Sequence, residues 1–139
     1  MADVGREKSG ASRPDSGVSP PQAAVLVCED EELVRINTCE LLEQSGLKVL
    51  EAADATEALA LIEAHPEIQV LVTDVKMPGW MSGIDLARLV EKKWPEISIL
   101  LTSAYYTAEE GVLPENMTLF PKPFSPEALA REVRLLMKR

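Results

Sequence analysis

The stretch Leu71-Val72-Thr73-Asp74-Val75-Lys76-Met77-Pro78-Gly79 decides how the rest of this chain is read. From Ile68 to Val72 the chain runs through a short, mostly β-branched apolar segment, the pattern of a strand buried on both faces, and Pro78-Gly79 cannot continue it. One carboxylate, Asp74, is thereby delivered to the carboxyl edge of an interior strand. In open α/β sheets ligands bind at that edge, beside the point where the strand order reverses.

Working outward, four further apolar runs read as strands: Ala23 to Cys28, Leu47 to Glu51, Ile97 to Leu101 and Met117 to Pro121. Between them lie helical patterns. Val34, Thr38, Leu41, Leu42 and Ser45 recur at helical spacing, and Gly46 stands at a helix stop. Asp54-Ala-Thr-Glu57 has the form of a capping box, followed by a stripe of Ala55, Ala58, Leu59 and Ile62 that ends before Pro66. Ser82-Gly-Ile-Asp85 opens a third helix, with Leu86, Leu89, Val90 and Trp94 inward, and Pro95 stops it. Ser125-Pro126 opens the last one, with Leu129, Val133, Leu136 and Met137 on one side. Between residues 104 and 116, Gly111 and Pro114 leave only a short or broken helix. Five strands alternating with helices predict a doubly wound α/β fold, a parallel sheet covered on both faces, for which the flavodoxin-like order 2-1-3-4-5 is one common arrangement.

The length of 139 residues suits one domain. Residues 1–22 are rich in Ser, Gly, Ala and Pro with balanced charge, and are expected to be a disordered N-terminal tail. The net charge of −9 therefore belongs to residues 23–139 and disfavours a phosphate backbone, so no nucleic acid partner is expected. No signal peptide and no membrane span is legible, which points to a soluble, cytoplasmic protein. Cys28 lies in a strand and Cys39 in a helix, so both are expected to be buried free thiols.

Three groups of residues carry chemistry. Glu29 and Asp30 follow the first strand, and they converge with Asp74 if the first and third strands are neighbours, as in the order 2-1-3-4-5. Crowded oxygen ligands of this kind suit a hard cation such as Mg²⁺, which takes one or two carboxylates and keeps waters for a phosphate to replace. Thr102-Ser103 ends the fourth strand, where a hydroxyl can donate to an anion or satisfy a backbone group. Lys122 lies between Pro121 and Pro123, and its bond to Pro123 is a candidate for cis geometry that aims the ammonium over the sheet edge.

With the segments Val-Leu-Val-Cys-Glu29-Asp30-Glu31, Thr-Asp74-Val-Lys-Met-Pro-Gly, Ile-Leu-Leu-Thr102-Ser-Ala and Lys122-Pro-Phe in order, residues 23–139 resemble a response regulator receiver domain of two-component signalling. The resemblance implies that Asp74 receives a phosphoryl group from a phosphohistidine on a histidine kinase or phosphotransfer protein. It implies that Glu29, Asp30, Asp74 and the main-chain carbonyl of Lys76 hold Mg²⁺, that Thr102 turns toward the phosphoryl group, and that Lys122 pairs with it. A signalling switch with slow self-dephosphorylation follows, rather than a turnover enzyme. Leu119 stands where many receivers carry a rotating aromatic, with Tyr105 and Tyr106 as nearby substitutes.

Two other readings compete. A pseudo-receiver would bind partners through the same surface without phosphorylation, and predicts a damaged acidic or lysine site, which this sequence lacks. A phosphatase or flavodoxin-like carrier would want a second acid where Lys76 stands, or a glycine-rich phosphate loop where the acids stand. His65, between a helix and a strand, has no donor context, and Trp80 reads as a partly exposed packing residue. Output is expected through a downstream protein at residues 104–139, whether the chain is free-standing or part of a hybrid kinase.

Overall fold

The computed structural model describes residues 22–77, 79–103 and 117–137. In chain order the elements are β1 (Ala24–Cys28), α1 (Glu32–Gln44), β2 (Lys48–Ala52), α2 (Ala55–Ala64), β3 (Ile68–Asp74), α3 (Gly83–Lys93), β4 (Ser98–Ser103), β5 (Met117–Pro121) and α4 (Pro126–Met137). All four strand pairings are parallel, as the alternation of patterns predicts, and the order is β2-β1-β3-β4-β5, the flavodoxin-like arrangement expected of this fold. The expected tail, the fourth crossover segment with Tyr105 and Tyr106, and Pro78 lie outside the described residues.

Burial on both faces explains why the central strands are mostly apolar, with Gln69 near the start of β3 the exposed exception. Alternate side chains point to opposite sides. Leu26, Leu71, Ile99 and Leu101 meet α2 and α3 through Ala58, Ile62, Leu86 and Val90. Val25, Val27, Val70, Val72 and Leu100 meet α1 and α4 through Cys39, Leu42, Leu129 and Val133. A polar atom in the middle of β1, β3 or β4 would have no water on either side. Cys28 and Cys39 are buried and free, one in each of these two layers.

Helix starts follow their capping chemistry. The Asp54 side chain accepts from the Glu57 amide at 2.9 Å while Glu57 Oε1 accepts from the Ala53 amide at 2.7 Å. Ser82 Oγ accepts from the Asp85 amide, and Ser125 Oγ from the Ala128 amide. The inward face of α1 differs from the sequence pattern: Cys39 and Leu42 are its buried residues, whereas Val34 is 36% exposed and Thr38 only partly covered. The helix is rotated so that Val34 and Thr38 overlook the carboxyl edge of the sheet beside Phe124. Leu89 and Trp94 of the third helical pattern are half-buried rather than central. At the opposite edge, His65 Nδ1 and Lys48 Nζ both meet Glu67 Oε2, at 3.1 and 3.0 Å, so His65 has a structural partner.

The entry of α3 is pressed against the end of β3. A Cβ built on Gly83 would collide with the main-chain carbonyl of Asp74, and no side chain there could yield. Gly83→Ala is therefore expected to displace the backbone at Asp74 and to cost about 2 kcal/mol or more, read as a lower urea midpoint with an unchanged slope.

Candidate functional site

Four chain segments meet at the carboxyl edge because the sheet register brings their ends level. Cys28 is opposite Thr73, Asp74 opposite Thr102, and Ser103 opposite Pro121. Backbone hydrogen bonds extend this order past the strand ends: the Glu29 amide donates to the Ala52 carbonyl, that of Val75 to Thr102, and that of Lys122 to Ser103, at 2.9–3.0 Å. The residues after β1, β3 and β5 therefore have fixed positions. Glu29, Asp74, Thr102 and Lys122 line one small cavity of about 20 Å³, closed at its side by Val34 and Phe124.

Within it, Lys122 Nζ lies 3.2 Å from Asp74 Oδ2, an ion pair with both side chains largely buried. The other carboxylate oxygen, Oδ1, accepts from the Lys76 amide at 3.4 Å, and the Lys76 side chain is exposed. The Lys122–Pro123 peptide is cis, the geometry the sequence suggested. Thr102 Oγ1 lies 3.5 Å from the Thr73 carbonyl, a long contact for a hydroxyl donor.

Glu29 is only 6% exposed. Burial, the largest influence, pushes its carboxyl above the usual carboxylate range; nearby Asp74 and Asp30 push the same way, and the Glu31 amide and Lys122 oppose them. That amide donates to Glu29 Oε2 at 3.1 Å. Asp30 is exposed and lines a different, open groove with Asp54, Thr56 and Trp80. The structure thus brings Glu29, Asp74, Thr102 and Lys122 together, with Asp30 at their margin. Among the described residues no three His, Cys, Asp or Glu side chains gather as a metal-holding group. Asp74 faces Lys122, and Glu29 accepts from its own loop. The donor set itself, carboxylates and a main-chain carbonyl at neighbouring strand ends, is all oxygen and has the chemistry of a hard-cation site.

Two surroundings of the site were not legible as such. Arg35 of α1 donates from Nη1 to the Glu29 carbonyl at 2.9 Å and from Nε to Glu51 Oε1 at 2.8 Å. Trp80 is 70% exposed, more open than the sequence reading had it, and its indole N–H donates to Thr56 Oγ1 at 3.0 Å. Cys28 packs against Met77, Sγ to Sδ 3.7 Å, and burial pushes its thiol up to about 12, so it is no nucleophile at neutral pH.

The Glu29 shift has a measurable sign. A carboxyl whose folded pKa is raised binds more protons folded than unfolded, so stability falls as pH rises from 4.5 through the folded value. Glu29→Gln, whose amide oxygen can still accept from Glu31, is expected to be more stable than the natural protein at pH 7 in chelator. The gain should vanish below pH 4.5, and urea denaturation at the two pH values checks it.

Residues 25–134 match the response regulator receiver domain family. Over 123 residues the chain is 37% identical to the sensor kinase CckA of Brucella abortus, covering 84% of this chain and 13% of that kinase. With the transcriptional regulatory protein PdtaR of Mycobacterium tuberculosis it shares 34% identity over 118 residues, 83% of this chain and 57% of the regulator. The chain thus spans about an eighth of the kinase and under two thirds of the regulator. The crystal structure of the receiver domain from hybrid histidine kinase CckA is similar with a TM-score of 0.69 and 33% identity, covering 83% of this chain and 99% of that one. No described helix is long and apolar enough to cross a membrane. Sheet order, the acid and lysine at its edge and the extent of the match agree: this chain belongs to the response regulator receiver domains of two-component signalling.

Proposed function

We propose that Asp74 is a phosphoacceptor, taking a phosphoryl group from a phosphohistidine on a histidine kinase or phosphotransfer protein and thereby switching a protein-interaction surface. Receiver domains of two-component systems interact with histidine kinases, which sets the class of donor. The observation that carries the reading is the Lys122–Asp74 pair at 3.2 Å on the carboxyl edge, a nucleophilic carboxylate with a cation beside it.

A carboxylate oxygen of Asp74 attacks phosphorus while the P–N bond breaks, and its electron pair leaves with the imidazole nitrogen. The product is an acyl phosphate and a neutral imidazole once a proton is taken up. Such transfer needs in-line positioning and neutralisation of the phosphoryl oxygens more than covalent help. Lys122 supplies a point charge and donors, and a turn of Thr102 away from its long contact with Thr73 supplies a hydroxyl. Glu29, Asp30, Asp74 and the main-chain carbonyl of Lys76 would hold Mg²⁺, which when bound offsets the charge of the phosphoryl oxygens and of the crowded acids.

The product adds negative charge where Lys122 already reaches, drawing Lys122 and Thr102 inward and biasing the surface around β5 and α4 toward a partner. Leu119, half-buried on β5 against the α2–α3 layer, occupies the place of a rotating aromatic, so the switch is carried by the polar pair. The domain acts as a switch rather than as a turnover enzyme, in the cytoplasm, through a downstream protein.

Incubation with Mg²⁺ and a small acyl phosphate is expected to add one phosphoryl group by intact mass, absent for Asp74→Asn and in chelator. A folded, Mg²⁺-responsive protein that takes no adduct would instead favour a pseudo-receiver. Lys76, exposed beside Asp74, shields the acyl phosphate from water in this reading. Lys76→Ala should shorten the adduct's lifetime, followed as decay of the mass shift after the donor is removed.

A further inference from the structure

Glu29 is held from two sides by β2 and its neighbouring helix. Its amide donates to the Ala52 carbonyl at 3.0 Å, and its carbonyl accepts from Arg35 Nη1 at 2.9 Å. Arg35 is in turn fixed by Glu51 Oε1 on Nε at 2.8 Å, and Glu51 precedes Ala52 in β2. The Arg35 amide also donates to the Glu31 carbonyl at 2.9 Å, tying the start of α1 to the acidic loop. The loop between β1 and α1 carries Glu29 and Asp30, and Glu31 next to them bonds back to the Glu29 carboxylate. Left to itself, a run of four consecutive acids would spread apart.

We propose that Arg35, braced by Glu51, is a positioning residue that fixes Glu29 and Asp30 for the divalent cation of the proposed phosphoacceptor site. The inference rests on that functional reading. A guanidinium can span two oxygens on different elements with a rigid fork, and an ammonium cannot. Because Arg35 is largely covered and Glu51 half-exposed, the brace reaches from solvent to the loop without occupying the cleft.

Arg35 could act in the opposite sense, as a cation that repels Mg²⁺. The two roles predict different signs. If repulsion dominated, Arg35→Met would tighten Mg²⁺ binding. If positioning dominates, the same substitution weakens it, since loss of the groups that orient metal ligands costs about 10-fold or more in affinity. Glu51 neutralises the guanidinium, which removes most of the repulsion and leaves positioning as the larger effect.

The test titrates the full chain with Mg²⁺, reading Trp80 fluorescence for half-saturation and, separately, the rate of phosphoryl uptake from a small acyl phosphate at saturating Mg²⁺. Arg35→Met is expected to raise half-saturating Mg²⁺ about 10-fold while keeping most of the rate at saturation. Arg35→Lys should fall between it and the natural protein, and Glu51→Gln should raise half-saturation by a smaller factor. Unchanged or tighter Mg²⁺ binding by Arg35→Met overturns the proposal, as does a loss of rate at saturation with half-saturation unmoved. Should Arg35→Met fail to fold, unaltered half-saturation in both Arg35→Lys and Glu51→Gln overturns it equally. A natural protein that binds Mg²⁺ but takes no phosphoryl group defeats the phosphoacceptor reading while the metal titration still decides the role of Arg35.

Discussion

A parallel strand covered by helices on both sides can hold a charge only at its ends, and the placement of the acids and the lysine at the carboxyl edge of this domain follows from that constraint. β1 and β4 are buried along their whole lengths, and β3 is buried except at Gln69, exposed near its start, and at Asp74, partly open at its end. The carboxylate therefore has one place to be, the carboxyl edge, and its neighbours there are set by register rather than by local sequence. Burial also makes the edge a site of low dielectric beside water, where charges interact more strongly than in solvent. That is why Glu29, with a carboxyl pushed up by desolvation, and Asp74, with Lys122 at 3.2 Å, meet such different conditions a strand apart.

Much of this arrangement was readable before any coordinates. The apolar runs gave the sheet, Asp54, Ser82 and Ser125 gave the helix starts, and the residues just past the runs gave Glu29, Asp74, Thr102 and Lys122. Each of these signals is local: a period, a cap, a break. What escaped depends on distance in sequence. The inward face of α1 is not set by its pattern, because Thr38 and Cys39 are both compatible with a helical stripe and only packing on β1 and β3 chooses between them. Arg35 sits in that same helix, and its reach to Glu51 crosses sixteen positions that no pattern of spacing connects. Gly83 reads as part of a helix start, while its need to lack a Cβ comes from the Asp74 carbonyl of another element. Trp80 was expected to pack more fully, yet its indole settles for one hydrogen bond across to α2 and leaves its ring open.

The site is held by backbone as much as by side chains, and this matters for how it can change. Glu29, Val75 and Lys122 are each tied to the next strand by a main-chain hydrogen bond, so their Cα positions are part of the sheet. The side chains above that frame are less committed. Thr102 makes a 3.5 Å contact, Asp30 is exposed, and the Asp74–Lys76 contact is 3.4 Å. A rigid base with movable polar groups lets charge at one atom redirect several donors without the cost of breaking the fold.

The same division explains why the acids are tolerated. Glu29, Asp30 and Asp74 oppose one another, and burial adds to the strain on Glu29. A purely structural site would replace Glu29 with a neutral side chain and gain stability. In the proposed cation site the repulsion has a use: a site that is uncomfortable while bare would bind a compensating cation more tightly, because occupation relieves what the fold imposed. Lys122 pairs with Asp74 in the bare site, and its anchor is the amide bonded to Ser103 rather than its ammonium, so in the proposed phosphoacceptor its charge would be available to a phosphoryl oxygen on Asp74. Repulsion held in the side chains, over a backbone hydrogen-bonded into the sheet, is what would give a bound charge leverage over the surface of β5 and α4.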